Sequence, residues 1–225
     1  MLLVVAVQSC RPAIPFYPGI PQEDQGQAQA LRDRVSHLYP RSFGAVHRGI
    51  LEAGGKNYVF DGYLLVNGPD SFRLTVKADM GGTVFELVKS PGRETVVTKN
   101  SLGLRRSWLE QGAARDVAVL YLRQPDPKAQ LVRHASGSWG LVQESTDGTR
   151  EEFVFDADGS HVQSYVRSRE GRVLYRADFV YGSFPRWPRP TPKNINIGDY
   201  LLKYTLKINV LEMAEIDSPG KGQQP

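Results

Sequence analysis

The chain has 225 residues, of which 40% are hydrophobic and 23% are charged, and its 28 Lys and Arg outnumber its 24 Asp and Glu. These proportions are typical of a folded globular domain with a sizeable core, and they exclude a wholly disordered chain. The excess of four basic residues forms no stripe, so no nucleic-acid partner is expected. A mild attraction to anionic lipid head groups or acidic partners is compatible with this charge.

The first ten residues are interpreted as the remnant of a signal segment. An apolar run at residues 2–7 precedes Cys10, which is the only cysteine and therefore excludes an internal disulfide and a CxxC redox pair. The stretch Val7-Gln-Ser-Cys10 resembles the lipobox of bacterial lipoproteins, in which the cysteine carries acyl chains. Arg11 after that cysteine implies export to the outer membrane. The alternative is an apolar N-terminal strand with an incidental buried cysteine.

Residues 11–22 are predicted to form an extended tether. Four prolines fall within residues 11–21, a density that neither a helix nor a central strand accommodates. Such a spacer would hold the folded body a short distance above an anchored Cys10. An irregular arm packed on the domain is the alternative.

The folded domain is expected to span residues 23–213 and to begin with a helix at 23–38. Its apolar stripe has spacings of three and four residues and consists of Ala28, Leu31, Val35 and Leu38. A second helix is predicted at 107–123, with Ser107 as its N-cap and Glu110 in capping-box register. The stripe of that helix comprises Ala113, Val117, Leu120 and Tyr121.

Between and after these helices the hydrophobic pattern has a period of two, which predicts strands. The first begins near residue 45, and turn residues separate the others. The predicted strands are 56–66, 71–78, 83–89, 93–99, 129–134, 138–145, 150–156, 161–168, 172–181 and 199–212. In the last, Tyr200, Leu202 and Tyr204 are expected to face the same side. Residues 214–225 are predicted to be a flexible tail.

The predicted fold class is therefore mainly β: a single antiparallel curled sheet, or open β-barrel, of ten or eleven strands with two helices as lid or plug. A sheet this long tends to curl, and helices over its concave face would enclose an apolar cavity.

No arrangement of residues indicates catalysis. Four histidines occur, and none has metal-ligand spacing to another histidine or to Cys10. The carboxylates are scattered along the chain, and nucleophile and phosphate-binding motifs are missing from the sequence. The chain is therefore expected not to be an enzyme and to need no metal or other cofactor.

Apolar side chains on the strands are the candidates for lining a cavity for an acyl chain. They are Phe60, Phe72, Leu74, Val76, Phe85, Trp139, Phe179 and Leu206. The alternative is that they fill the sheet core and leave no cavity. Met80 is singled out separately, because an apolar side chain at the tip of the turn Asp79-Met-Gly-Gly82 favours contact with a membrane or a partner. The alternative is that Met80 folds back over the edge of the sheet.

The segment from Phe72 to Leu87, which reads FRLTVKADMGGTVFEL, resembles the strand–loop–strand segment of the LolA/LolB family, and of LolB in particular. The order of elements, from N-terminal helix through strands and an inserted helical segment to further strands, is similar as well. Residues 194–208 are similar to the last two strands of that family.

The resemblance implies an unclosed β-barrel with a helical lid and an apolar interior. LolB-like proteins are anchored in the outer membrane, receive the acyl chains of a lipoprotein from the periplasmic carrier LolA, and release the lipoprotein into the bilayer. Met80 matches the projecting loop residue that the family needs for membrane insertion. The expected partners are thus lipid or lipoprotein acyl chains, the outer membrane through acylated Cys10, and envelope proteins. The alternative is a non-catalytic adaptor lipoprotein in an envelope machine.

Overall fold

The computed structural model describes residues 18–79, 81–101, 103 and 106–216 of the chain. Cys10, Met80 and residues 11–17 of the expected tether lie outside this described part, and so do residues 217–225. Within it, thirteen strands form one antiparallel sheet, and two helical regions accompany that sheet. The predicted fold class is confirmed, with thirteen strands in place of ten or eleven.

The strands are numbered in chain order. They are β1 Ile20–Pro21, β2 Ser42–Ala53, β3 Lys56–Asn67, β4 Phe72–Ala78, β5 Thr83–Lys89, β6 Val96–Asn100, β7 Gln130–Arg133, β8 Trp139–Glu144, β9 Thr149–Phe155, β10 Val162–Arg169, β11 Arg172–Phe184, β12 Trp187–Asp199 and β13 Tyr204–Glu215. Helix α1 spans Gln25–Ser36. A second helical region, residues 106–122, follows β6 and is called the inserted helix here.

The sheet is ordered β1-β7-β8-β9-β10-β11-β12-β13-β2-β3-β4-β5-β6. Most neighbours are joined by short turns, as the hairpin signals predicted. Two pairings are exceptions: β1 pairs with β7, and β13 pairs with β2. The second joins the last strand to the first long one and runs from Tyr204↔Ala53 to Glu215↔Phe43. Strands β1 and β6 form opposite edges that do not pair with each other, so the described sheet is not closed into a barrel.

One apolar core connects both helical regions with strands from almost the whole sheet. It contains Leu31 of α1, Leu120 of the inserted helix, Leu87 of β5 and Leu141 of β8. Side chains from strands that far apart can share a core only if the sheet curves around the helices, which therefore lie on its concave face.

Helix α1 begins and ends close to where its sequence pattern predicted. The Asp24 side chain accepts a hydrogen bond from the Gln27 backbone N–H at 2.8 Å and caps the N-terminus. Ala28, Leu31 and Val35 are buried, so the predicted stripe is the face that packs on the sheet.

The inserted helix combines two helical geometries. Its α-helical parts are Arg106–Trp108 and Ala114–Val117, and its π-helical parts are Leu109–Ala113 and Ala118–Leu122. It starts at Arg106, so Ser107 lies inside the helix and the prediction of Ser107 as the N-cap was wrong. Glu110 accepts a hydrogen bond from Arg106 Nε at 2.7 Å, so its carboxylate forms an ion pair with the side chain one turn earlier. π-helical turns in a helix are often found at functional positions.

The predicted last strand, 199–212, was wrong in its first part. The Asp199 carboxylate accepts hydrogen bonds from the backbone N–H groups of Leu201 and Leu202, and Lys203 has a φ of 58°, so a turn separates β12 from β13. Tyr200 and Leu202 belong to this turn. Because their apolar side chains continue the alternating pattern of the strand, that pattern does not reveal the turn.

Strand β12 was predicted only in its second half, through the resemblance of residues 194–208. Its proline-rich first half pairs with β11 alone, for example Tyr181↔Pro192, whereas β13 pairs from Asn194 onward. Prolines are accommodated there because that half has a free edge among the described strands.

Strand β1 lies at the end of the segment expected to be a tether. Ile20 and Pro21 pair with Arg133 and Val132 of β7. Neither helical region in the described part of the chain combines the length and apolar character required to cross a bilayer.

Candidate functional site

A cavity of about 630 Å³ lies between the sheet and the first half of the inserted helix, and it is called the helix cavity here. Inward-facing positions of β3, β4 and β5 form its floor, where Phe60 pairs across strands with Ala78 and Val76 pairs with Phe85. The inserted helix forms the opposite wall. Most of the side chains that line the cavity are apolar, as expected of a ligand site.

A small cavity of about 70 Å³ continues from the helix cavity towards the middle of the inserted helix. Phe60, Val76, Phe85, Asp116 and Leu206 line both. The helix cavity therefore has an outer part near Tyr58 and Asp79 and an inner end at Asp116.

The structure brings together most of the residues that the sequence proposed for a cavity. The helix cavity is lined by Phe60, Val76, Phe85 and Leu206, and the small cavity by Leu74 as well. Phe179 lines a different cavity, described below. Phe72 is 2% exposed and packs in the core, while Trp139 packs under the Arg133 guanidinium, whose carbon is 4.0 Å from the ring centre. Neither of these two lines the cavities described here.

The sequence analysis expected helices to cover the cavity, but it did not identify the residues of the inserted helix that line it. Trp108, Leu109, Gly112 and Asp116 all line the helix cavity. One signal was available for Asp116, because it falls between Ala113, Val117 and Leu120 on the apolar stripe, where a carboxylate is out of place.

Asp116 is 5% exposed and belongs to a buried polar network between the inserted helix and the sheet. Its Oδ2 accepts a hydrogen bond from the Tyr204 hydroxyl at 2.6 Å. Arg115 donates to Asp199 and, at 3.1 Å, to the Tyr204 hydroxyl, and its guanidinium lies 4.8 Å from the centre of the Tyr175 ring. This network holds the inserted helix against β11, β12 and β13.

The second carboxylate oxygen of Asp116, Oδ1, accepts no hydrogen bond of normal geometry from the described residues, although the nearby Tyr175 hydroxyl helps to lower the pKa of this carboxyl. The nearest cation is Arg115, whose Nη2 lies 3.6 Å away. Burial raises the pKa of Asp116 from 3.8 to about 6, although the Tyr204 hydrogen bond and the Arg115 charge oppose that shift. At neutral pH the inner end of the helix cavity therefore presents a carboxylate oxygen with no donor.

His47 and Tyr121 separate the helix cavity from a second one. His47 Nε2 lies 2.8 Å from the Tyr121 hydroxyl, and both residues line the small cavity. Burial lowers the pKa of His47 from 6.5 to about 4, so its imidazole is neutral at physiological pH.

The second cavity has a volume of about 510 Å³ and lies at the other end of the inserted helix, next to the end of α1. Tyr39, Tyr121 and Phe179 contribute rings to it. Arg41 and Arg123 also line it, so it differs from the helix cavity in carrying basic side chains.

The fold is similar to those of several solved structures. A LolA superfamily protein from Nitrosomonas europaea superposes with a TM-score of 0.51 at 12% identity, over 88% of this chain and 97% of that one. An outer membrane lipoprotein-sorting protein domain from Vibrio parahaemolyticus gives a TM-score of 0.47 at 10% identity, over 88% and 93% of the two chains. A scan against protein-family models and a search of curated proteins find no match. The chain has a LolA/LolB-like fold, as the resemblance implied.

Proposed function

We propose that the helix cavity binds the apolar chain of a lipid or lipoprotein, and that the protein is a non-catalytic carrier or receptor for such chains. The observation that carries this proposal is the cavity of about 630 Å³ between a curled sheet and a helix, with a mostly apolar lining. The LolA/LolB-like fold supports the same role, because the resemblance of residues 72–87 to that family implies an apolar interior under a helical lid.

Binding by burial alone suits a carrier. Each methylene removed from water contributes roughly 0.8 kcal/mol, so affinity grows with chain length and needs no covalent step. Release then requires only that the chain meets another apolar environment, such as a bilayer. The role uses no nucleophile, metal or other cofactor.

The proposed role is tested with a neutral apolar probe, N-phenyl-1-naphthylamine, whose fluorescence rises in apolar surroundings. Leu206 is half-buried, faces the cavity and can be enlarged with Leu206→Trp. We expect this variant to bind the probe at least tenfold more weakly than the unaltered protein, because the new ring occupies the space of the chain. Dodecyl acetate should displace the probe from the unaltered protein.

The matched control is Lys207→Trp, which adds the same ring to the next residue of β13, on the exposed face. Its affinity should equal that of the unaltered protein. Absence of probe binding to the unaltered protein, or equal binding by the Leu206 variant, contradicts the proposal. In that case, purification without lipid and with a tightly bound protein partner would favour the adaptor role.

We further propose that the protein is a lipoprotein of the outer membrane, held at the periplasmic face through acylated Cys10, and that Met80 enters the membrane during transfer. The lipobox-like sequence before Cys10 and the match of Met80 to the family's projecting loop residue support this. Both residues lie outside the described part of the chain.

Anchoring is tested by Cys10→Ser in the full chain, expressed in a diderm bacterium. We expect the unaltered protein in the outer-membrane fraction and the variant in the soluble periplasmic fraction, because the acyl chains supply the binding energy. A variant that stays in the membrane fraction contradicts the anchor.

A further inference from the structure

The helix cavity has one polar feature that binding of a plain hydrocarbon would not use. Asp116 lines both the helix cavity and the small cavity beyond it, so its carboxylate lies at the inner end. It is 5% exposed, and its Oδ1 has no hydrogen-bond donor within the described part of the chain. A buried carboxylate oxygen without a donor is costly, and such an atom marks a place where a ligand donor is favoured.

The neighbouring residues leave Oδ1 without a hydrogen bond of normal geometry. The Tyr175 hydroxyl lies close enough to the Asp116 carboxylate to lower its pKa, but it makes no hydrogen bond of normal geometry within the described part of the chain. The Tyr204 hydroxyl donates its one proton to Oδ2, at 2.6 Å. Arg115 is directed to Asp199 and Tyr204, and remains 3.6 Å from Oδ1, beyond hydrogen-bond length. The free acceptor is therefore held in position by partners that are already engaged.

The charge of the lining points to the same class of ligand. Among the described residues that line the helix cavity, the ionisable groups other than tyrosines are Asp79 and Asp116, and none is a lysine, arginine or histidine. The basic side chains Arg41 and Arg123 line the second cavity. An anionic group would thus be repelled from the helix cavity, whereas a neutral or cationic donor would be stabilised.

We propose that the helix cavity binds apolar chains whose polar end carries an N–H or O–H hydrogen-bond donor, and that Asp116 Oδ1 accepts this hydrogen bond. The inference rests on the proposed function, since it names the class of chain that the same cavity prefers. It makes Asp116 a specificity-determining residue, while the apolar lining supplies most of the affinity.

The test compares two twelve-carbon probes that differ at one atom. N-dodecylacetamide has an amide N–H, and dodecyl acetate has an ester oxygen in the same place. Each is titrated at pH 8 against protein loaded with N-phenyl-1-naphthylamine. Because a hydrogen bond to a charged group favours the donor, we expect the amide to bind about tenfold more tightly than the ester.

Two variants link this preference to Asp116. Asp116→Leu has a similar volume and no acceptor, so the amide should lose its advantage and bind no better than the ester, because its buried N–H has no partner. Asp116→Asn retains an acceptor for the Tyr204 hydroxyl, and it provides the test if Asp116→Leu does not fold. It should reduce the preference at least threefold, because the charge is lost.

The control is Glu110→Gln, which removes a carboxylate from the same helix outside the cavity lining and should keep the full preference. Equal affinity of amide and ester for the unaltered protein overturns the inference, and so does a preference that persists in Asp116→Leu. If neither compound displaces the probe, or the probe itself does not bind, the proposed function fails instead. The two failures are therefore distinguishable.

Discussion

The pKa values of two buried residues, Asp116 and His47, are shifted in opposite directions. Burial raises the pKa of Asp116 to about 6 and lowers the pKa of His47 to about 4, and both residues line the small cavity. In each case the neutral form is favoured. Burial therefore disfavours the charged form of both groups, although Asp116, with a pKa of about 6, is still ionised at neutral pH.

These shifts predict opposing dependences of stability on pH. For Asp116 the folded state retains its proton after the unfolded state has lost it, so its contribution is complete below pH 3.8 and falls as pH rises to about 6. For His47 the unfolded state binds the proton first as pH falls, so its contribution is complete above pH 6.5 and is lost towards pH 4. Because a shift of one pKa unit corresponds to 1.36 kcal/mol, each of these two contributions to the free energy of unfolding amounts to about 3 kcal/mol.

Urea unfolding of Asp116→Asn and His47→Gln between pH 4 and 7 measures both contributions. Relative to the unaltered protein, the free energy of unfolding of Asp116→Asn should rise with pH by up to about 3 kcal/mol, because the variant has no buried carboxylate to ionise. That of His47→Gln should fall by a similar amount. Differences that do not change with pH would contradict the burial of these two groups.

The strand residues of the cavity could be predicted from the sequence, and the helix residues could not. Phe60, Val76 and Phe85 follow from alternation alone, because a period of two assigns each to one face of its strand. The π-helical turns shift the face of the inserted helix in a way that a regular helical pattern does not show. Trp108 and Gly112 were missed for that reason, whereas Asp116 lies on the predicted stripe and was missed because a charged residue is not expected to line an apolar cavity.

At the scale of elements, the shape of the cavity floor depends on a close approach between β2 and β3. Gly49 pairs across strands with Phe60, and a Cβ at Gly49 would lie 2.3 Å from the Phe60 Cζ atom. The ring therefore crosses the place that a side chain at residue 49 would occupy. Glycine at this position allows the ring to lie along the floor.

Gly49→Ala should displace the Phe60 ring into the helix cavity. We expect the affinity for N-phenyl-1-naphthylamine to fall severalfold while the circular dichroism spectrum remains that of a folded sheet protein. Gly44→Ala is the control on the same strand, because its Cβ would make an ordinary contact, 3.5 Å from Ile216 Cδ1. Equal losses in both variants would show that the floor does not depend on this approach.

Local signals determined most elements and failed where a side chain defines a turn. Glu170-Gly171, with φ angles of 51° and 70°, is a tight hairpin that the sequence marked clearly. The turn after β12 depends on the carboxylate of Asp199 reaching the N–H groups of Leu201 and Leu202. No hydrophobic pattern reports such a contact.

For the whole molecule, the succession of hairpins predicts the curled sheet, but it does not predict the pairing of β13 with β2. Strands β2 to β6 form one meander and β7 to β13 another, and the pairing of β13 with β2 joins them. That pairing connects distant parts of the chain, so it is specified by the shared core and not by any turn. The inserted helix lies between the two meanders in sequence and packs in the core that they share.

The proposed binding of apolar chains is tested most directly by locating a bound chain in the protein. A crystal structure of the protein with 12-bromododecyl acetate, with data collected at the bromine absorption edge, would locate the chain by anomalous scattering. We expect the bromine peak in the helix cavity, between the inserted helix and strands β3 to β5. A peak in the second cavity only, or bromine bound solely at the outer surface, would contradict the account.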